Sequence, residues 1–272
     1  MKNNNAWNDK LAFIWTKMVG PSRPTVSELS IYLKHIRKLQ SQRKSKLKML
    51  VLGSTPEFRD LGFEENMDIT VVDCNKDYHK AINREIRHKC LIGTEKVIFC
   101  KWQNMNFDNQ FDIVIGDLVI GNIQPLELED FIKKIQKALV KDGLFLGKSF
   151  YQDKNYKVVN PENMVKKYYE GHPYHPYSFF AYNLTIYALK EDTLHFKDMY
   201  DILKKLNQEH ILTDETFEKY KNIGFDEEMK FPFYVPLRDD FETLIQKYLK
   251  IDCIEYANDV YSKHFPLYII KK

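Results

Sequence analysis

The sequence predicts an α/β protein in which helices cover both faces of a mostly parallel sheet. Between residues 48 and 151, short apolar runs alternate with longer polar and amphipathic stretches. Strands that are buried on both faces form continuous apolar runs, and this is typical of parallel sheets. Near residue 260, two further strand-like runs are joined by only six residues, too few for a parallel crossover. The parallel sheet is therefore predicted to end in an antiparallel edge.

Each element of this core has its own signal in the sequence. The predicted strands are KMLVLG (48–53), DITVVD (68–73), KVIFCKW (96–102), FDIVIGD (111–117) and LFLGKSF (144–150). Amphipathic stretches at 76–90 and 125–140 are the predicted helices between them. The KDG at 141–143 predicts a helix stop with a glycine cap.

The remaining residues divide the chain into regions. Residues 1–47 are predicted as an N-terminal helical lid, because a helical pattern there is broken by the prolines of GPSRP (20–24). Residues 152–237 mix aromatic-rich loop with helical pattern and form a predicted insertion. Residues 238–272 return to the core with an amphipathic helix (238–250) and the strands 251–258 and 265–272.

Composition excludes several classes of protein. The 272 residues carry a formal charge of only +3, short of the basic balance of a dedicated nucleic-acid domain. The four cysteines form no CxxC pair and no paired spacing with histidines, which predicts reduced thiols and no metal site. No secretory apolar region or membrane-length stretch is present, so we expect a cytoplasmic protein without a membrane partner. The oligomeric state is left open.

The turn at Gly53 is the most informative local feature. Thr55 is a predicted N-cap, Pro56 suits the first helical position, and Glu57 favours the helix N-terminus. Asp73 ends the second strand 20 residues after Gly53, the spacing at which a carboxylate accepts hydrogen bonds from a ribose diol. Open α/β sheets bind ligands at this edge. The alternatives to a ligand site are an ordinary strand-to-helix turn at Gly53 and a helix-capping role for Asp73.

The glycines that this turn lacks narrow the choice of ligand. In dinucleotide-binding turns, further glycines let the backbone approach a pyrophosphate, whereas Thr55 and the bulky Phe58 stand here. An adenosine ligand without phosphates is therefore favoured. Its ribose would use Asp73, and the ammonium of a zwitterionic tail would pair with Glu57. Arg23, beside Pro21 and Pro24, is a candidate lid residue for a carboxylate.

At these residues the sequence resembles the class I S-adenosylmethionine-dependent methyltransferases. VLGSTPE stands in place of the glycine-rich first motif, and VVDCN resembles the ribose-binding acidic motif. CKWQNMNFDNQFDIVIGD and IKKIQKALVKDGLFLGKSF resemble the later strands and helix, and the antiparallel end fits that fold. Residues W…VGPSRP and the LGxTPE-like turn also resemble a bacterial methyltransferase-like group.

The resemblance implies a Rossmann-like core, S-adenosylmethionine as cofactor and S-adenosylhomocysteine as product. Where many relatives have an acidic residue for the adenine amino group, this chain has Lys101, so Trp102, Gln103 or Asn104 would serve instead. The cofactor-binding residues implied by the resemblance are Gly53, Ser54, Thr55, Glu57, Asp73, Cys74, Trp102, Gln103, Asn104, Gly116, Asp117 and Leu118.

The methyl acceptor is predicted less narrowly than the cofactor. The resemblance implies that the insertion 152–237 is the substrate-binding region, together with the N-terminal helices. The balanced charge and the aromatic insertion favour a small molecule or peptide, while the basic run at 34–48 keeps a nucleic-acid methyltransferase open. The family's Asn/Asp-Pro-Pro-aromatic tetrapeptide is absent, since GDLV stands in its place. A non-catalytic adenosyl-binding protein is a third alternative. Candidate general bases are Asp117, His172 and His175.

Overall fold

The computed structural model describes residues 12–13, 15–171, 174–223 and 232–272. Its centre is a seven-stranded sheet in the order β3-β2-β1-β4-β5-β9-β8. Strands β1 to β5 run parallel, and β9 and β8 pair antiparallel at the end of the sheet. The strands are β1 Lys48–Leu52, β2 Asp68–Asp73, β3 Lys96–Phe99, β4 Phe111–Asp117, β5 Leu139–Lys148, β8 Lys250–Glu255 and β9 Leu267–Lys271. The predicted mostly parallel sheet with an antiparallel edge is confirmed.

Helices cover the sheet on both faces, as β1 shows most directly. Met49 and Val51 point into one apolar core, while Leu50 and Leu52 point into the other. This alternation follows from the two-residue period of a strand, and it explains why the run is apolar throughout. The core helices are α1 Val26–Gln40, α2 Pro56–Glu64, α3 Lys76–Ile82, α4 Leu128–Ala138 and α9 Arg238–Ile245.

The described residues between 152 and 237 form a helical layer, and an aromatic-rich core packs this layer against the N-terminal segment, α3 and Phe150. Its helices are α5 Pro161–Tyr169, α6 Pro176–Ala188, α7 Phe196–Gln208 and α8 Asp214–Lys221. Two short antiparallel strands, β6 Thr193–His195 and β7 Pro232–Tyr234, also occur here and were not predicted. The layer packs tightly on the loop after β4, because a Cβ added at Gly121 would lie 2.0 Å from the ring of Phe233.

The helices predicted over 76–90 and 238–250 end already at Ile82 and Ile245. Three further predictions are also wrong. The KDG at 141–143 does not cap a helix: α4 ends at Ala138, β5 begins at Leu139, and Asp142 with φ +62° lies in an irregular stretch of β5. Strand β3 ends at Phe99, because the Trp102 indole donates to the carbonyl of Val72 and turns the chain back over β2.

The third correction concerns the antiparallel pair. Its connection spans residues 256–266, longer than the six residues predicted. The chain leaves β8 early because this loop is held by the start of α1: Thr25 Oγ1 donates to Asp259, and the backbone N–H of Asn258 donates to Ser27 Oγ at 2.7 Å.

The described part of the chain has neither a helix able to cross a membrane nor a disulfide.

Candidate functional site

A pocket of about 230 Å³ opens at the carboxyl ends of β1, β2 and β4. This is the edge at which open α/β sheets bind ligands. Register brings the two sequence signals together there, because Leu52 of β1 pairs with Val72 of β2, one residue before Gly53 and Asp73. The pocket is lined by Trp15, Ser22, Leu52, Gly53, Ser54, Thr55, Asp73, Cys74, Tyr78, Cys100, Lys101, Trp102, Gln103, Asp117, Leu118, Asn122, Ile123, Gln124 and Glu127.

The turn after β1 has the conformation that a glycine allows. Gly53 has φ +85°, and its N–H donates to the carbonyl of Val72 at 2.8 Å. Pro56 occupies the first turn of α2 as predicted, whereas the Thr55 side chain makes no capping hydrogen bond. Thr55 is thus the N-cap residue of α2, as predicted, but it caps the helix without a side-chain hydrogen bond. Its hydroxyl is left available to the pocket that Thr55 lines.

Asp73 is held in place by hydrogen bonds to both of its oxygens. Ser54 Oγ donates to Oδ2 at 2.6 Å, and the backbone N–H of Asn75 donates to Oδ1 at 2.8 Å. Burial raises the pKa of the carboxyl, and the Ser54 hydrogen bond opposes that shift. The backbone N–H groups of Ser54 and Cys74 also stabilise the ionised carboxylate, and Asp73 lines the pocket.

His79 of α3 supports this arrangement from behind and was not predicted. Its Nδ1 lies 2.8 Å from Ser54 Oγ. Because the serine hydroxyl donates to Asp73, the histidine Nδ1–H must be the donor to the serine oxygen. Burial, with a further contribution from the positive charge of Arg59, lowers the pKa of His79 to about 4. The neutral imidazole thus fixes the serine that orients the carboxylate.

The low pKa of His79 predicts an unusual titration of its imidazole. In a proton NMR titration, we expect the His79 imidazole to show a midpoint near pH 4, assigned by its loss in His79→Gln. Because the folded pKa lies below the unfolded value, the unfolded chain binds this proton first. The free energy of unfolding should therefore fall as pH drops from about 6.5 to about 4. A midpoint near 6.5 would contradict the burial of the imidazole beside Arg59.

The other end of the pocket is formed by the turn after β3. The Trp102 ring packs against Gly53, 3.5 Å from the position of an added Cβ, and also against Phe131. The Gln103 side-chain amide donates to Glu127 Oε2 at 2.8 Å. Trp102 is therefore both a core residue and a pocket wall. Asn104 does not line the pocket, whereas Glu127, which was not predicted, brings a carboxylate to it.

At the end of β4, Asp117 belongs to a buried charge network. Lys148 Nζ of β5 lies 3.2 Å from Asp117 Oδ1 and 2.8 Å from Glu28 Oε2, and it donates to the carbonyl of Pro21 at 2.9 Å. Burial raises the pKa of Asp117 to about 7, with Lys148 opposing the shift and Glu28 adding to it. One ammonium thus pairs with two buried carboxylates, and burial favours the protonated form of Asp117 more than it would for an exposed aspartate.

The residues beside Asp117 differ in their access to the pocket. Leu118 lines it with a left-handed backbone, φ +51°, held by its N–H donating to the carbonyl of Lys148 at 2.9 Å. Non-glycine residues with positive φ are uncommon and cluster at functional sites. Gly116 does not line the pocket, and the space that a side chain would need there is filled, since an added Cβ would lie 2.3 Å from Val119.

The N-terminal segment roofs the pocket. Trp15 and Ser22 line it, and both are tied down: the Trp15 indole donates to Glu57 Oε1 at 3.1 Å, and Ser22 Oγ lies 2.8 Å from the hydroxyl of Tyr177 in α6. Arg23 forms an ion pair with Glu57. Glu57 therefore holds this segment and does not itself line the pocket, although its Oε2 is buried with no partner among the described residues.

The two histidine candidates lie elsewhere. His175 does not line the pocket: its Nδ1 accepts the N–H of Tyr177 at 3.2 Å and so caps the start of α6. His172 lies outside the described residues.

No protein-family model and no curated sequence matches the chain. Solved structures do match. A Rhodobacter sphaeroides protein that carries the name of the zinc-dependent alcohol dehydrogenases aligns with a TM-score of 0.62 at 16% identity, over 100% of both chains. A Clostridium acetobutylicum S-adenosylmethionine-dependent methyltransferase aligns at 0.54 and 11%, over 97% of this chain and 98% of that one.

A third match is a Burkholderia thailandensis 1,6-didemethyltoxoflavin-N1-methyltransferase, which contains 1,6-didemethyltoxoflavin and S-adenosylhomocysteine. Its TM-score is 0.52 at 9% identity, over 90% of this chain and 76% of that one. Most of the similar structures are S-adenosylmethionine-dependent methyltransferases. The chain has the Rossmann-like fold of class I S-adenosylmethionine-dependent methyltransferases. At these sequence identities the similarity establishes the fold alone. The activity has to be argued from the residues of the pocket.

Proposed function

We propose that the protein is an S-adenosylmethionine-dependent methyltransferase with a small-molecule or peptide acceptor. One observation carries the proposal. In a sheet with the methyltransferase fold, Gly53 and Asp73 lie side by side at the edge where ligands bind. Gly53 supplies the positive φ of the turn, and Asp73 is a buried, oriented carboxylate in the pocket. This donor and acceptor set fits an adenosyl ligand without phosphates.

Each part of the pocket has a proposed task toward that ligand. Asp73 accepts from the ribose hydroxyls, and Gly53, Ser54 and Thr55 face the methionine part. Gln103, with the carboxylate of Glu127 that it holds, faces the adenine. This pair replaces the acidic residue that Lys101 does not provide. Cys74 and Trp102 would then supply packing at the same end of the pocket.

When bound, the cofactor supplies a sulfonium methyl group for in-line transfer to a nucleophile. The protein's task is to align the reactants and exclude water, which can contribute about 7 to 11 kcal/mol. Trp15 and Ser22 exclude water by roofing the pocket. Asp117 is the proposed general base for a protonated acceptor, since its pKa of about 7 suits proton transfer at neutral pH.

The ion pairs formed by the basic run 34–48 favour a small-molecule acceptor over a nucleic-acid acceptor. Lys34, Arg37, Arg43 and Lys46 all lie within ion-pair distance of carboxylates of this chain, those of Glu255, Glu65, Asp112 and Asp68. These are four of the seven cations in the run 34–48, and pairing them within the chain reduces the net attraction of this surface for phosphates. The Burkholderia thailandensis methyltransferase, which holds a small heterocycle, supports the same acceptor class by likeness of fold.

Calorimetric titration with S-adenosylmethionine, S-adenosylhomocysteine and NAD tests the proposal. We expect micromolar binding of both adenosyl ligands and none of NAD, because Thr55 and Phe58 stand where a pyrophosphate needs glycines. Binding without turnover on any amine, hydroxyl, thiol or RNA substrate would favour the non-catalytic alternative. If the folded protein binds neither adenosyl ligand, the proposal fails.

A further inference from the structure

Three side chains with metal-ligating atoms meet between α1 and the edge strand β8, on elements outside the pocket lining. His35 Nε2 lies 2.5 Å from Glu255 Oε1, and Cys253 Sγ lies 4.0 Å from the same oxygen. All three ligand atoms lie within 4.8 Å of one another. His35 is 8% exposed, and the other two residues are partly buried.

The meeting follows from simple periodicity. Cys253 and Glu255 are two residues apart on β8, so their side chains project from the same face of the strand. Helix α1 packs across that face with a buried stripe that includes His35, Ile36 and Leu39. Sequence spacing alone gave no hint of the cluster, because 218 residues separate His35 from Cys253 along the chain.

We propose that His35, Cys253 and Glu255 bind one zinc ion. Imidazole nitrogen, thiolate sulfur and carboxylate oxygen are the ligands that zinc takes in proteins, and three such ligands leave a fourth position for water. The hydrogen bond between His35 and Glu255 lies where a shared cation would bind. Zinc binding releases the thiol proton of Cys253 and any proton held between His35 and Glu255 to solvent.

Lys34 is the competitor for this site. Its Nζ lies 3.2 Å from Glu255 Oε1 and 3.4 Å from Oε2. Its side chain is 68% exposed, so it can return to solvent when a cation takes its place. Exposed lysine–carboxylate pairs contribute little to the free energy of folding, so breaking this one costs little. The competition makes a specific expectation: removing the Lys34 charge should strengthen metal binding.

The site would fix α1 to the sheet edge. At its other end, α1 is capped by Thr25, and its Glu28 forms an ion pair with Lys148 beside Asp117. Zinc bound only by the folded chain stabilises it by mass action. The proposal does not depend on the proposed methyltransferase function.

Cobalt(II) titration of the full chain, after chelator treatment and desalting, tests the proposal. We expect one equivalent to bind, with a thiolate-to-cobalt charge-transfer band and the visible bands of a four-coordinate ion, all removed by zinc. Cys253→Ser should abolish the charge-transfer band, whereas Cys90→Ser, at an exposed cysteine, should keep it. His35→Gln should weaken binding at least tenfold, and Lys34→Gln should tighten it severalfold.

The outcomes separate a metal site from a structural ion pair. A merely structural cluster gives no charge-transfer band and no metal-dependent rise in melting temperature, and either absence overturns the proposal. A band that survives Cys253→Ser also overturns it, because the cobalt would then be bound elsewhere. If Cys253→Ser does not fold, as judged by circular dichroism, His35→Gln and Lys34→Gln decide the matter by affinity.

Discussion

Replacing Asp73 with asparagine is expected to weaken S-adenosylmethionine binding by roughly 10- to 100-fold, as measured by calorimetry. Hydrogen bonds to a charged group contribute about 1.5 to 3 kcal/mol each, and about 1.4 kcal/mol corresponds to a tenfold change in affinity. The amide NH₂ cannot accept a hydrogen bond. Since Ser54 and Asn75 already donate to the two carboxylate oxygens, the variant must lose an acceptor either for them or for the ligand.

Asp77→Asn is the matched control for this change. Asp77 is exposed in the first turn of α3 and does not line the pocket, so its loss should leave the dissociation constant unchanged. The free energy of unfolding of both variants must be measured alongside binding. If Asp73→Asn binds the ligand as tightly as the unchanged protein, Asp73 only orders the turn before α3, whose N-cap is Asn75.

The central sheet could be predicted because its signals are local. Each buried strand is an apolar run in the sequence. In β1 successive side chains point to opposite faces, so Leu50 packs in one core and Val51 in the other. The KDG stretch misled because the same residues suit a helix end and a strand irregularity. Which one forms is set by pairing with β4, where the register moves from Phe111 opposite Leu139 to Ile113 opposite Leu144.

Pocket residues at the ends of β1 and β2 could be predicted, because a local sequence pattern marks them. Gly53 and Asp73 could be found because a fixed strand–turn–helix geometry relates spacing in the chain to distance in space. His79 and Glu127 could not be found in this way. Their roles depend on how α3 and the turn before α4 pack against other elements, and a histidine or glutamate on a helical stretch has many other uses.

Glu57 illustrates the same limit. Its position at the start of α2 predicted an ammonium partner, and in the structure its cationic partner is Arg23 from the N-terminal segment. The type of interaction was predictable from charge, but the partner depends on where the segment before α1 folds back. The sequence gives that segment only two prolines and an interrupted helical pattern.

The largest effect on stability is expected from Arg59, which lies fully buried beneath the binding turn. Its guanidinium pairs with Glu95, and the two side chains are 0% and 1% exposed. Arg59→Met should cost about 3 to 5 kcal/mol in the free energy of unfolding, because Glu95 would be left as an unpaired buried charge. At about 2 to 4 °C per kcal/mol for chains somewhat shorter than this one, the melting temperature should fall by roughly 10 °C.

The double variant Arg59→Met with Glu95→Leu distinguishes this explanation from a simple loss of packing. Arg59 Nε and Nη1 have no partners in the described part of the chain, so the buried pair is incompletely satisfied, and two apolar side chains should recover most of the stability. Breaking the exposed pair Lys219–Glu215 is the control and should cost under about 1 kcal/mol. Arg59→Met alone should also raise the pKa of His79, because Arg59 lowers it and Glu95 opposes that effect. If the double variant is as unstable as Arg59→Met, the cost lies in the shape of the arginine side chain and not in its charge.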